Sequence, residues 1–60
     1  MNLYKVMYMR NGLRQSLNVL AKDSEHAETR VFNYLKAINR KIAYDMKIVG
    51  INLIAKDVIS

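Results

Sequence analysis

Met9-Arg10-Asn11-Gly12-Leu13-Arg14 is the stretch whose reading decides the fold of this 60-residue chain. Asn-Gly between two runs of strand formers is the strongest short-range hairpin signal, because a two-residue type I′ turn needs positive φ at both central positions. Upstream lies Leu3-Tyr4-Lys5-Val6-Met7-Tyr8-Met9, and residues 13–21 read as the returning strand. The turn fixes the register: Arg10 faces Leu13, Tyr8 faces Gln15, Val6 faces Leu17 and Tyr4 faces Val19. Tyr4, Val6, Tyr8, Leu17 and Val19 then share the face assigned to the core. Leu3, Met7, Met9 and Leu20 share the other face with Lys5, Arg14, Ser16 and Asn18.

A helix follows, from about residue 24 to about 40 with 43 as its far limit. Asp23 or Ser24 serves as N-cap, and Glu25 and Glu28 suit the positive end of the helix dipole. Neither cap has Glu or Gln three residues on, so no strict capping box is expected. Ala27, Val31, Tyr34, Leu35, Ile38 and Ile42 form a stripe about 100° wide at helical spacing. Phe32 sits off that stripe, beside Leu35, and reads as a residue at the edge of the core or as an exposed aromatic.

Residues 46–55 (Met-Lys-Ile-Val-Gly-Ile-Asn-Leu-Ile-Ala) are rich in β-branched side chains and read as a third strand. Strict alternation puts Val49, Ile51 and Leu53 on one face and Ile48, Gly50, Asn52 and Ile54 on the other. Gly50 marks a bulge or a close backbone approach. Residues 56–60 either extend this strand or fray. A right-handed crossover from strand two passes over strand one and sets strand three beside it. The expected fold is α+β, a ββαβ chain whose three-stranded antiparallel sheet, in order 2-1-3, carries one helix on one face, all in a single domain spanning residues 1–60.

This topology sorts the charges. The hairpin turn and the helix C-terminus fall at one end, which gathers Arg10, Arg14, Lys36, Arg40, Lys41 and Lys47 against Asp45. The opposite end holds Asp23, Glu25, Glu28 and Asp57, with Lys22 and Lys56. Cations near a helix C-terminus and acids near its N-terminus stabilise the helix by about 0.3–1 kcal/mol each, and that accounts for Lys36, Arg40, Lys41, Glu25 and Glu28. It does not account for Arg10 and Arg14 beside the turn, which are the preferred contacts for an anionic partner.

Composition narrows the function. A hydrophobic content of 52% with 25% charged residues is that of a folded domain rather than a disordered tail. A chain of this length buries only about 60% of its unfolded surface, so oligomerisation or a partner would add needed stability. No apolar run approaches the ~18 residues that span a bilayer, and the N-terminus lacks the pattern of a signal peptide. Without cysteine the chain suits a reducing cytoplasm. The single histidine, His26, has no second histidine or cysteine with which to hold a metal, so it reads as a surface residue of the first helical turn. Ser16, Ser24 and Ser60 have no histidine at a nucleophile's spacing. The carboxylates are accounted for by caps and surface charge, and no phosphate loop occurs. The expectation is a non-enzymatic protein with no cofactor.

Two apolar features point to binding. Leu3, Met7, Met9, Leu20, Ile48 and Ile54 lie on the sheet face that one helix cannot cover, and a contiguous exposed apolar patch marks an interaction site. Strand three, residues 46–55, lies at a sheet edge and is apolar on both faces, which invites pairing with a second chain, so a homodimer is expected through this strand or through the outer sheet face. The expected partner-binding residues are Arg10, Arg14, Arg40, Lys41, Lys47, Met7, Met9, Ile48 and Ile54. A C-terminal segment folded back over the patch is the alternative to an open face.

The string Tyr4-Lys5-Val6-Met7-Tyr8-Met9-Arg10-Asn11-Gly12, followed by Leu17-Asn18-Val19-Leu20-Ala21-Lys22-Asp23-Ser24-Glu25-His26-Ala27-Glu28, resembles small phage-encoded β-β-α-β proteins that modulate or inhibit host machinery. Inhibitors of host RNA polymerase and anti-CRISPR proteins are of this type. The resemblance implies a host protein complex as the target, blocked by surface binding in the host cytoplasm. A second likeness, to the arm-type DNA-binding domain of phage integrases, is limited by that module's three strands before its helix. Three functions follow: a protein-binding modulator first; second, a DNA- or RNA-binding protein using Arg10, Arg14, Arg40, Lys41 and Lys47; third, a self-assembling structural protein.

Overall fold

Asn11 and Gly12 take φ of 53° and 76°, the left-handed pair that the hairpin turn requires, in the computed structural model, which describes residues 1–58. The turn joins β1 (Asn2–Arg10) to β2 (Leu13–Ala21). The register is the one the turn dictates, from Arg10 opposite Leu13 to Asn2 opposite Ala21. Tyr4, Val6 and Tyr8 are buried on the inner face, with Leu17 and Val19 packed beside them. The buried Tyr8 keeps its hydroxyl satisfied by donating to Oε1 of Gln15, its cross-strand partner, at 3.2 Å.

Helix α1 (Ser24–Ile38) starts at an Asp23 cap, whose Oδ1 accepts the His26 N–H at 2.8 Å. His26 returns the favour: its Nδ1 accepts the Lys22 N–H at 3.0 Å. His26 thus stands at the third helical position, where a capping box carries Glu or Gln, and ties down a backbone donor just outside the helix. Sequence matching for Glu or Gln misses this. His26→Ala is expected to cost about 1 kcal/mol of unfolding free energy, and His26→Gln to recover most of it in urea titrations. Equal loss in both variants would show that the imidazole acts through packing.

The single long helix expected to about residue 40 breaks at Asn39, which is extended (φ −162°, ψ 116°). Asn39 closes α1 by donating its N–H to the Leu35 carbonyl at 2.8 Å and opens α2 (Arg40–Asp45) by accepting the Lys41 N–H on Oδ1 at 3.0 Å. An Asn side chain competes for backbone donors and so favours such a junction over a helix interior. The buried stripe of α1 is narrower than expected and consists of Ala27, Val31 and Leu35. Tyr34 and Ile38 belong to the expected stripe but are 55% and 60% exposed. Ala43 of α2 is buried instead, and Ile42 packs against the same cluster. On the opposite flank of α1, Phe32 meets Tyr44 of α2 edge to face at 5.7 Å.

Strand β3 (Lys47–Ala55) lies antiparallel to β1, which gives the sheet order β2-β1-β3 expected from the crossover. Its pairing slips twice, between Met7 and Tyr8 and between Leu3 and Tyr4. Opposite Tyr8 stands Ile48 and opposite Met7 stands Gly50, so Val49 is an inserted residue; Ile54 is inserted likewise between Leu53 and Ala55. A bulge moves every residue beyond it to the other face relative to strict alternation. Ile48 therefore joins Ile51 against the core, contrary to its expected place on the outer face. Gly50 stands beside the first bulge, as its sequence context suggests, and its close neighbour is a side chain rather than a backbone: a Cβ there would lie 2.8 Å from Met7 Cε. That atom ends a flexible side chain, so Gly50→Ala is expected to change stability by less than about 1 kcal/mol. A loss above roughly 2 kcal/mol in thermal melts would show that Met7 cannot swing aside.

Past β3 the chain turns through Asp57 (φ 52°). The Asp57 N–H donates to Asn2 Oδ1 at 3.0 Å and the Val58 N–H to the Met1 carbonyl at 2.8 Å. Residues 56–58 are thus pinned at the end of the sheet away from the hairpin. The sequence expectation for residues 59 and 60 lies outside the described residues. No helix among the described residues is long and apolar enough to cross a membrane.

Candidate functional site

Side chains opposite one another on neighbouring strands share a face, so the two registers spell out the sheet surface that carries no helix. From the hairpin end it reads in rows: Arg14–Met9–Lys47, then Ser16–Met7–Gly50, then Asn18–Lys5–Asn52, then Leu20–Leu3–Ala55. Lys5, Met7, Arg14 and Val49 line a shallow depression across it. Val49, put there by the bulge, is exposed.

This face is less bare than the sequence suggests. Leu3, Met7, Met9 and Leu20 are half-buried although no helix lies over them, while Lys5, Arg14, Lys47, Ser16, Asn18 and Asn52 are exposed. Met9 stands between Arg14 and Lys47 and Leu3 between Leu20 and Ala55, so neighbouring strands supply part of the cover. The result is a mixed surface in which cations flank methionines. Arg14 and Lys47 sit on either side of Met9, about 10 Å apart at two strand spacings. That separation is comparable to the Debye length at physiological salt, about 8 Å, so their fields overlap.

The expected basic cluster divides in two. Arg14 and Lys47 belong to the helix-free face. Arg10 lies on the other side of the turn, where it lines a depression with Asn11, Asn39, Lys41, Ile42 and Asp45. Asp45 offsets part of the positive charge there. Arg40 and Lys41 occupy the first turn of α2, and only Lys36 stands in the last turn of α1. Helix-dipole stabilisation therefore accounts for Lys36 and not for Arg40 and Lys41, which lie at the positive end of their own short helix. Of the remaining expected contacts, Ile48 packs against the core, and Ile54 is exposed at the second bulge, at the far end of the sheet.

A further surface was not anticipated. Leu17, Asn18 and Val19 of β2 and Arg30, Val31 and Tyr34 of α1 line a groove along the open flank of the helix. Its signal was present in the sequence, because a stripe as wide as Ala27 to Ile38 needs cover on both flanks and α2 supplies only one. Among the described residues no cluster of three or more His, Cys, Asp or Glu could hold a metal ion.

Compared with protein-family models, curated proteins and solved structures, the chain matches none.

Proposed function

We propose that this chain is a small non-enzymatic binding protein that docks its helix-free sheet face on an acidic surface of a larger protein complex and modulates or inhibits it, as the resemblance to phage-encoded modulators implies. The row Arg14–Met9–Lys47 carries this reading. Two cations flanking a polarisable, adaptable side chain match an acidic protein surface that also offers apolar contact. The net charge of +5 steers encounter with such a target.

Nucleic acid is the second reading, favoured by Arg10 and Lys41 at the hairpin end. Phosphate binding alone leaves the methionines without a role, and the helix-free face offers no aromatic side chain on which a base could stack. Affinity capture separates the two. Immobilised wild-type chain is expected to retain a protein partner after nuclease treatment, and a bait carrying Arg14→Glu and Lys47→Glu is expected to lose it. Loss of all binding on nuclease treatment would establish nucleic acid as the target.

A further inference from the structure

The sheet has two edges, and they are not alike. Along β3, the bulges at Val49 and Ile54 break the regular spacing of outward backbone groups. Bulges of this kind blunt an edge against pairing with another chain. Along β2, nine residues pair with β1 with no slip in register, so its free edge is regular. Of the two edges, β2 is the one whose backbone is regular enough to template a further strand.

The two-residue turn also settles which backbone groups of β2 face outward. It makes Arg10 and Leu13 a hydrogen-bonded pair, and such pairs recur at every second residue. Leu13, Gln15, Leu17, Val19 and Ala21 therefore direct their N–H and C=O groups at β1. Arg14, Ser16, Asn18 and Leu20 direct theirs at the free edge. Among the described residues, no turn, loop or cap backbone hydrogen bond reaches that edge.

We infer that a second copy of this chain pairs with β2 across a two-fold axis at Leu17, making a continuous six-stranded sheet. This register uses all four outward residues: Ser16 pairs with Asn18 of the second copy, and Arg14 with its Leu20. Four such pairs exchange about eight backbone hydrogen bonds. No charge meets its like: Arg14 and its symmetry mate stand six residues apart along the strand, about 20 Å. The interface is isologous, so it closes at two copies and leaves no sticky end. Leu17 meets its own mate as a non-hydrogen-bonded pair, with Cα atoms about 4.5 Å apart.

The exposed apolar surface lies where this dimer needs it. Tyr34 borders the groove above Leu17 and Val19, and Ile38 stands one helical turn further along the same flank. Pairing the β2 edges brings the two grooves together around the axis, so these side chains are covered from the side that α2 leaves open. The helix-free faces of both copies stay exposed, and the dimer presents the Arg14–Met9–Lys47 row twice.

The test is sedimentation equilibrium combined with oxidative cross-linking. Wild type is expected to reach twice the chain mass of 7.0 kDa as concentration rises. Ser16→Pro removes an outward N–H and none of the hydrogen bonds to β1, so it is expected to stay folded by circular dichroism and to weaken the dimer by about a hundredfold or more. The chain contains no cysteine, so a single introduced thiol reports its own neighbour. Leu17→Cys is expected to form a disulfide between copies under mild oxidation, since its Cα separation suits that bond. Asn18→Cys, on the other face, and Val49→Cys, on the bulged edge, are expected to remain reduced. A monomer at every concentration overturns the inference. So does an unchanged dimer in Ser16→Pro, or preferential cross-linking through Val49→Cys.

Discussion

Leu35→Ala is expected to lower the unfolding free energy by about 2–5 kcal/mol in the monomer, at concentrations below self-association, while Ile38→Ala, three residues on in the same helix, changes it there by less than about 0.5 kcal/mol. Leu35 is 5% exposed and belongs to the core cluster, whereas Ile38 is 60% exposed. Truncating Leu35 loses its transfer free energy and leaves a void between α1 and the sheet. A domain of 60 residues has a total stability of about 3–9 kcal/mol, so the loss is a large share of the whole. For a domain this small each kcal/mol shifts the midpoint by about 4–8 °C, and Leu35→Ala should melt about 10 °C or more below wild type. The contrast probes where the core ends along α1, and equal destabilisation by the two variants would show that Ile38 is covered as Leu35 is.

The second large effect is electrostatic. Arg14→Glu with Lys47→Glu changes the net charge from +5 to +1 and reverses the sign of the row beside Met9. Association with an acidic protein surface is expected to slow by about ten- to a thousandfold at low ionic strength. At about 1 M salt the Debye length falls to about 3 Å and most of that difference should vanish. The same double change at Arg40 and Lys41 is expected to slow association less, because those residues lie on the other side of the hairpin end. Stopped-flow binding across a salt series measures both. Equal slowing by the two pairs would mean that net charge matters and that the sheet face does not.

How much of this was legible in the sequence depends on the range of each signal. Asn11-Gly12 is local, and a two-residue turn sets every β1–β2 pair, so Tyr4, Val6 and Tyr8 could be placed inward and Arg14 beside Met9 from the letters alone. The position of β3 followed from chain-crossover handedness. Its register did not. A bulge adds a residue without any obligatory sequence mark, and the one after Ile48 turned that side chain into the core and Val49 out of it. The helix break was underread for a different reason. The apolar spacing from Leu35 through Ile38 to Ile42 fits one long helix, and the weight of Asn39 as both a closing and an opening cap shows only when the extended backbone there is seen. That break also moved Arg40 and Lys41 from the end of one helix to the start of another.

The four methionines report separately on the helix-free face, the core and the far end of the sheet. Met7 and Met9 lie on the helix-free face, Met46 packs against the core cluster, and Met1 sits at the end away from the hairpin. With methyl-labelled methionine, the captured protein partner should be titrated into the chain and the four methyl resonances followed by NMR. The Met7 and Met9 signals are expected to shift or broaden while Met46 and Met1 hold their positions. Unmoved Met7 and Met9 signals at saturating partner would contradict docking through the helix-free face.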